Sequence, residues 1–236
     1  MAPSEIARAA KAAGVDGIAL TDHQSARNTP AMAECARRTG LACLFGAEVQ
    51  TAEEVHTVAL FDTVEQALAL TDWVYAALPK RVNDPDTFGD QPVVTADDEI
   101  VEMEWRILAM GCRRTIPETA AKVRELGGLY IAAHVDRANH SVLGALGTIP
   151  EPLVASEAQP GGGRFFDAVE LSRTADEITW LPKAEGYAVT RSSDAHNLDD
   201  VARVWTEADL PAFTTTALKA AFAARATHPS PRLTTF

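Results

Sequence analysis

Histidines and carboxylates recur along this chain of 236 residues in a pattern suited to holding divalent cations. They are Asp22-His23, Glu48, His56, His134 and Asp194-Ala-His196, and they take up four of the six histidines. Neutral imidazole ligates Zn, Mn or Fe, and carboxylates bridge hard cations. Several of these residues follow short apolar runs and so fall at strand ends: Gly17–Leu20 before Asp22-His23, Leu41–Phe45 before Glu48, Leu129–Ala133 before His134, Tyr187–Thr190 before Asp194. Asp194 and His196, two apart, share a side of an extended segment. His134 ends a very apolar run, where an isolated polar group is costly unless satisfied. Singly, each has a plainer reading: Asp22 could cap a turn, Glu48 could be a solvated strand end, and His56 could lie half-exposed on an edge strand. The set is far more specific than its parts.

The elements that must position these residues alternate between helical patterns and strand-like runs, the rhythm of a parallel α/β fold. Helices are expected over Ile6–Ala13, Pro30–Arg38, Val64–Leu78, Pro117–Leu126 and Thr216–Arg225, with Gly14, Gly40 and Gly127-Gly128 as stops. Strands are expected at 17–20, 41–45, 55–61, 129–133, 168–171 and 187–190. The stretch 79–115 breaks the rhythm. There Gln91–Thr95 and Ile100–Trp105 flank Ala96-Asp-Asp-Glu99, a β-hairpin signal. It reads as an insertion in a single domain over 1–236, with 226–236, including His228, as a loose tail. The loop Gln159–Gly163 lacks the Lys-Ser/Thr of a phosphate-binding loop and reads as a flexible connection.

A net charge of −12 and a pI near 4.9 argue against an extended electrostatic grip on nucleic acid. They leave room for a small phosphorylated substrate, because bound metal reverses the local field. Cys35, Cys43 and Cys112 form no CxxC pair and are expected as reduced thiols. No run approaches a membrane span and no signal peptide is visible, so a cytoplasmic location is expected.

Four segments, Ala13–His23, Gly46-Ala-Glu48 with Glu53-Glu-Val-His56, Ile131–Arg137 and Ser192-Ser-Asp-Ala-His196, together resemble the PHP family, the polymerase and histidinol phosphatase domains. The resemblance runs from about Ala2 to Val204. It implies an α/β fold, a distorted (β/α)7 barrel with up to three metals at the strand C-terminal ends. On that basis Glu48 would bridge, with His56 and His134 completing one metal site. His23 and His196 would serve another and Asp194 a third, while Asp22 would orient ligands. The family's first strand carries Asp-x-His-x-His, which this chain lacks. Met1-Ala-Pro-Ser resembles the residues that follow it, so the first strand is expected to be missing, through an internal start or a natural reduction. One or two ions (Zn, Mn or Fe) would then remain, and an open barrel edge could invite a homodimer.

The implied activity, expected to be impaired by loss of the first strand, is metal-dependent hydrolysis of a phosphate mono- or diester: a nucleotide, a short oligonucleotide or a small phosphorylated metabolite. His134 and His196 are the candidate proton carriers, and Arg137 the candidate phosphate grip. Arg173 and Arg191 are weaker candidates for that grip, and His140 for a replacement ligand. The alternatives are a non-catalytic binding module and a metal-dependent amide hydrolase. The latter is disfavoured because no lysine follows the strand ends to form a bridging carbamate.

Overall fold

The computed structural model describes residues 1–152 and 163–233, so Gln159–Gly162 of the glycine-rich loop lie outside the described residues. Helix α1 (Pro3–Ala13) leads into β1 (Gly17–Leu20), α2 (Thr29–Thr39), β2 (Ala42–Gln50), β3 (His56–Phe61) and α3 (Val64–Ala77). A short helix α4 (Pro85–Phe88) precedes the hairpin strands β4 (Pro92–Val94) and β5 (Ile100–Met103). Then follow α5 (Ile116–Glu125), β6 (Leu129–Ala132), α6 (Val142–Leu146), β7 (Ala168–Leu171), α7 (Glu177–Trp180) and β8 (Ala188–Arg191). The chain ends with β9 (Thr206–Glu207), α8 (Thr215–Ala224) and β10 (His228–Pro229). Local chemistry accounts for the helix bounds. Thr63 with Gln66 and Thr115 with Glu118 form capping boxes at the starts of α3 and α5. Gly14 and Gly40 stop α1 and α2 in the left-handed conformation.

The six main strands lie in the order β1-β2-β3-β6-β7-β8 and curl into a half-barrel. Among the described residues no pairing joins β1 to β8, so the sheet stays open. The parallel rhythm is corrected. β1/β2, β6/β7 and β7/β8 are parallel, but β3 runs antiparallel to both neighbours. Only residues 51–55 separate β2 from β3, far short of the dozen or so a parallel crossover needs.

Strand alternation divides the sheet into two faces. One face sets Val49, Ala59, Phe61, Tyr130, Ala132 and Val169 against Leu70 and Val74 of α3 and Ile116, Ala120 and Val123 of α5. The other face gathers Leu44, Leu60, Leu129, Ile131, Ala168 and Ala188 over Phe222 of α8, forming an apolar floor. Glu48 and Glu170 have the parity of that floor farther along their strands, and His56, first residue of the antiparallel β3, has it at the same end.

The hairpin forms its own antiparallel pair, with β5 exposed along its length. Polar ties moor it: Arg27 pairs with Glu102 and Glu104, Asn28 bonds Pro92 and Val94, and Arg38 pairs with Asp97. The expected loose tail is instead docked as far as it is described. β10 pairs with β9, the Ser230 carbonyl accepts from Arg191 at 2.6 Å, and the Leu233 N–H donates to the Arg173 carbonyl at 2.8 Å. These segments also cover the outer edge of β8. Thr206 Oγ1 bonds both the N–H and the carbonyl of Arg191, and Thr227 Oγ1 donates to the Val189 carbonyl at 3.0 Å. The open edge expected to invite a partner is, on the β8 side, occupied by this chain's own hydroxyls.

Candidate metal centre

Register brings the site together. β1 pairs Leu20 with Phe45, and the same parallel register carried three residues on sets His23 opposite Glu48. Two backbone bonds clamp that bridge: the Glu48 N–H donates to the Asp22 carbonyl at 3.0 Å, and the Gln24 N–H to the Glu48 carbonyl at 2.8 Å. On the other side of β2, the antiparallel pairing with β3 sets Gln50 opposite His56, a diagonal from Glu48. His134 reaches the site differently. Parity along β6 would turn it toward the helices with Ala132, but its left-handed backbone (φ +28°) breaks the alternation and brings the ring onto Glu48. A non-glycine residue held there carries strain of the kind that gathers at functional sites.

Three imidazoles therefore converge on one carboxylate. His23 Nδ1 lies 2.8 Å from Glu48 Oε2, while His56 Nδ1 and His134 Nε2 lie 3.3 and 3.4 Å from Oε1. Donor atoms of His23, Glu48 and His56 all fall within 4.8 Å of one another. Burial works against the Glu48 charge, yet hydrogen bonds from His134, His23 and His56 outweigh it and hold the carboxyl well below its usual range. The Glu48 hydrogen bond in turn raises His23 against the pull of burial. For His134 burial opposes protonation, but the same carboxylate raises it overall. His134 Nδ1 is buried without a protein partner. A buried carboxylate reached by several imidazoles is a donor set suited to a divalent cation.

The remaining candidates separate. Asp194, also left-handed (φ +45°), pairs with Arg137 at 2.6 Å, and His196 Nδ1 rests 3.0 Å from the Asp194 carbonyl. The His196 ring is largely exposed, 6.1 Å between centroids from His23, outside the close group. Asp22 accepts from Asn28 at 3.1 Å, and its carboxylate does not join the cluster. His140 stacks on His56 with centroids 4.8 Å apart and planes within 12°, beside a shallow depression of about 280 Å³ lined by Glu54, Ala138 and Asn139. Arg191 is corrected: it is 1% exposed, bonded to the Ser230 and Ala175 carbonyls and paired with Glu177, so it is a structural cation. Arg173 is engaged with Asp200 at 2.5 Å.

Glu170 was not singled out from sequence. It is buried on β7, accepts from Ser192 Oγ at 2.5 Å, and burial pushes its carboxyl up to about 7. Its signal was present in Ala168-Val-Glu-Leu171, a carboxylate inside a fully apolar strand, which is costly without a reason.

The chain belongs to the PHP domain family, which matches residues 1–143. No curated protein matches it in sequence. Solved structures share the fold. The lesion-specific endonuclease of Pyrococcus furiosus superposes over 95% of this chain with a TM-score of 0.60 at 17% identity. This chain spans only 51% of that enzyme's length. A structure of Endonuclease Q with a 27-mer duplex carrying an abasic lesion gives 0.59 at 17% identity, covering 94% of this chain and 51% of that one. A candidate metal-dependent phosphoesterase of Bifidobacterium adolescentis gives 0.54 at 19% identity, covering 83% of this chain and 82% of that one. Among the described residues no helix is long and apolar enough to cross a membrane.

Proposed function

We propose that this chain is a metal-dependent phosphoester hydrolase whose principal ion is held by Glu48 with His23, His56 and His134. The observation that carries this reading is the convergence of three imidazoles on one buried carboxylate. Zn, Mn or Fe bound there would supply Lewis-acid stabilisation of phosphate oxygens and an activated water. The chain's own residues would supply the rest. The apolar floor beneath Glu48 excludes water from one side and strengthens each charge interaction above it. Arg137, carried by the turn after β6, can grip a phosphate with its planar fork. His196, exposed at the rim, can carry a proton to a leaving oxygen, while His134 is better placed as a ligand. Asp194 extends the donor set toward a second ion.

The acidic chain favours small phosphorylated substrates over a long duplex. A nucleic-acid phosphodiester is the second reading, favoured by the fold shared with an endonuclease crystallised with a lesion-bearing duplex. A cytoplasmic location fits either substrate. Hydrolysis of phosphomonoesters, dinucleotides and an abasic duplex, each with Mn, Zn and Fe, tests the reading. It expects turnover of at least one class in wild type and none in Glu48→Gln. Turnover that survives Glu48→Gln unchanged would refute it.

A further inference from the structure

The rim of the site holds a carboxylate already matched by a cation of the chain's own. Arg137 Nη2 lies 2.6 Å from Asp194 Oδ2 and His196 Nδ1 lies 3.7 Å from Oδ1, while His23 and Arg173 feel the same charge from farther away. Both partners are presented by pinned backbone. The Arg137 N–H donates to the His134 carbonyl at 3.0 Å. The same turn is fastened to the end of β7, where Asp136 accepts from Ser172 N and Oγ at 2.7 and 2.6 Å. Asp194 follows Ser193, a buried residue whose hydroxyl donates to the Val204 carbonyl at 3.1 Å. The guanidinium is therefore delivered to Asp194 by folding, with no ligand needed to bring it there.

We infer that Arg137 is a built-in competitor for the second metal position: its guanidinium occupies Asp194 until a divalent cation displaces it, and the freed fork is then available to the substrate phosphate. This rests on the reading of Glu48 as the principal metal ligand. Arg137 is 41% exposed, and Asp194 Oδ2, though buried and 2.6 Å from the guanidinium, receives no aligned hydrogen bond, so the pair is a loose ion contact that a divalent ion can break. A carboxylate oxygen cannot serve the guanidinium and an inner-sphere ion equally well, so binding of one weakens the other by the same factor. Among the described residues no guanidinium or ammonium pairs with Glu48, whose neighbours are imidazoles that can themselves ligate.

The test is calorimetric titration of Mn2+ or Zn2+ alone into the metal-free full chain, as wild type, Arg137→Gln, Arg137→Lys, Asp194→Asn and the Arg137→Gln/Asp194→Asn double variant. Arg137→Gln is expected to tighten a second, weaker class of sites by about two- to tenfold, the range expected of a partly exposed ion pair. The first class should be unchanged, Arg137→Lys should resemble wild type, and the gain should vanish in the Asp194→Asn background. A second class unaltered or weakened in Arg137→Gln, or absent from every variant, would overturn the inference while leaving the Glu48 reading intact. No ion bound by folded wild type at any site would overturn both.

Discussion

Two parts of the strand-end surface carry the same residue types and use them differently. Around Glu48, β2, β3, the bridge just past β1 and the turn after β6 each contribute one ligand-type side chain, three placed by backbone register and His134 by its left-handed backbone. At the rim, Asp194 and His196 come from a single loop, His196 is largely exposed, and the nearest cation is a guanidinium. The difference teaches that a donor set is built by the number of independent elements converging on one atom, more than by the spacing of ligand residues in sequence. Asp194 and His196, two apart, share a side of an extended segment in sequence, yet they form the looser region in space.

Glu48→Gln should produce the largest effect. Removing the only carboxylate in the cluster is expected to lower metal affinity by at least about 100-fold and to abolish hydrolysis, read by metal titration and turnover. It should also change the pH profile of the metal-free protein. His23 and His134 are raised above 6.5, so the stability from their protonation is full below pH 6.5 and is lost as pH climbs through the raised values. Glu48 is held below 4.5, so its contribution is present above pH 4.5 and is lost as pH falls through the depressed value. The windows overlap between 4.5 and 6.5. Urea midpoints should peak there in wild type, and the peak should flatten in Glu48→Gln.

Arg191→Ala sharpens the contrast between a buried and a rim arginine. It strands two buried carbonyls and Glu177 and unpins the tail, so a loss of about 3 kcal/mol in urea unfolding is expected with metal affinity unchanged. A metal-binding defect without destabilisation would return Arg191 to the site. Glu170→Gln is smaller and depends on pH. Wild type binds the Glu170 proton more tightly when folded than when unfolded. That advantage is full below pH 4.5 and is lost as pH rises through about 7, where the buried carboxyl must ionise. The variant should match wild type near pH 4.5 and exceed it by about 1–2 kcal/mol at pH 8. Smallest is His196→Ala, expected to lower affinity for the first ion by less than about tenfold, against about 10–100-fold for His56→Ala. Equal losses would erase the distinction between cluster and rim.

Much of the local structure was legible. Gly14 and Gly40 mark helix ends because they take up the left-handed conformation there, and the six strand runs of the main sheet emerge where apolar residues cluster. Pairing direction was not legible: the link that compels an antiparallel β3 is short only because β2 runs on to Gln50, past the apolar run that ends at Phe45. Nor was the fate of Arg191, because its carbonyl partners at Ala175 and Ser230 are distant in sequence and carry no side-chain signal. His134 could be named from its apolar run, but its swing onto Glu48 depends on one left-handed residue.

The most direct measurement is elemental analysis of folded wild type and Glu48→Gln, purified without chelator and dialysed against metal-free buffer. The account predicts about one tightly held Mn, Fe or Zn per wild-type chain and a level near the buffer blank in the variant. Wild type at the blank, or a variant that keeps its ion, would contradict it.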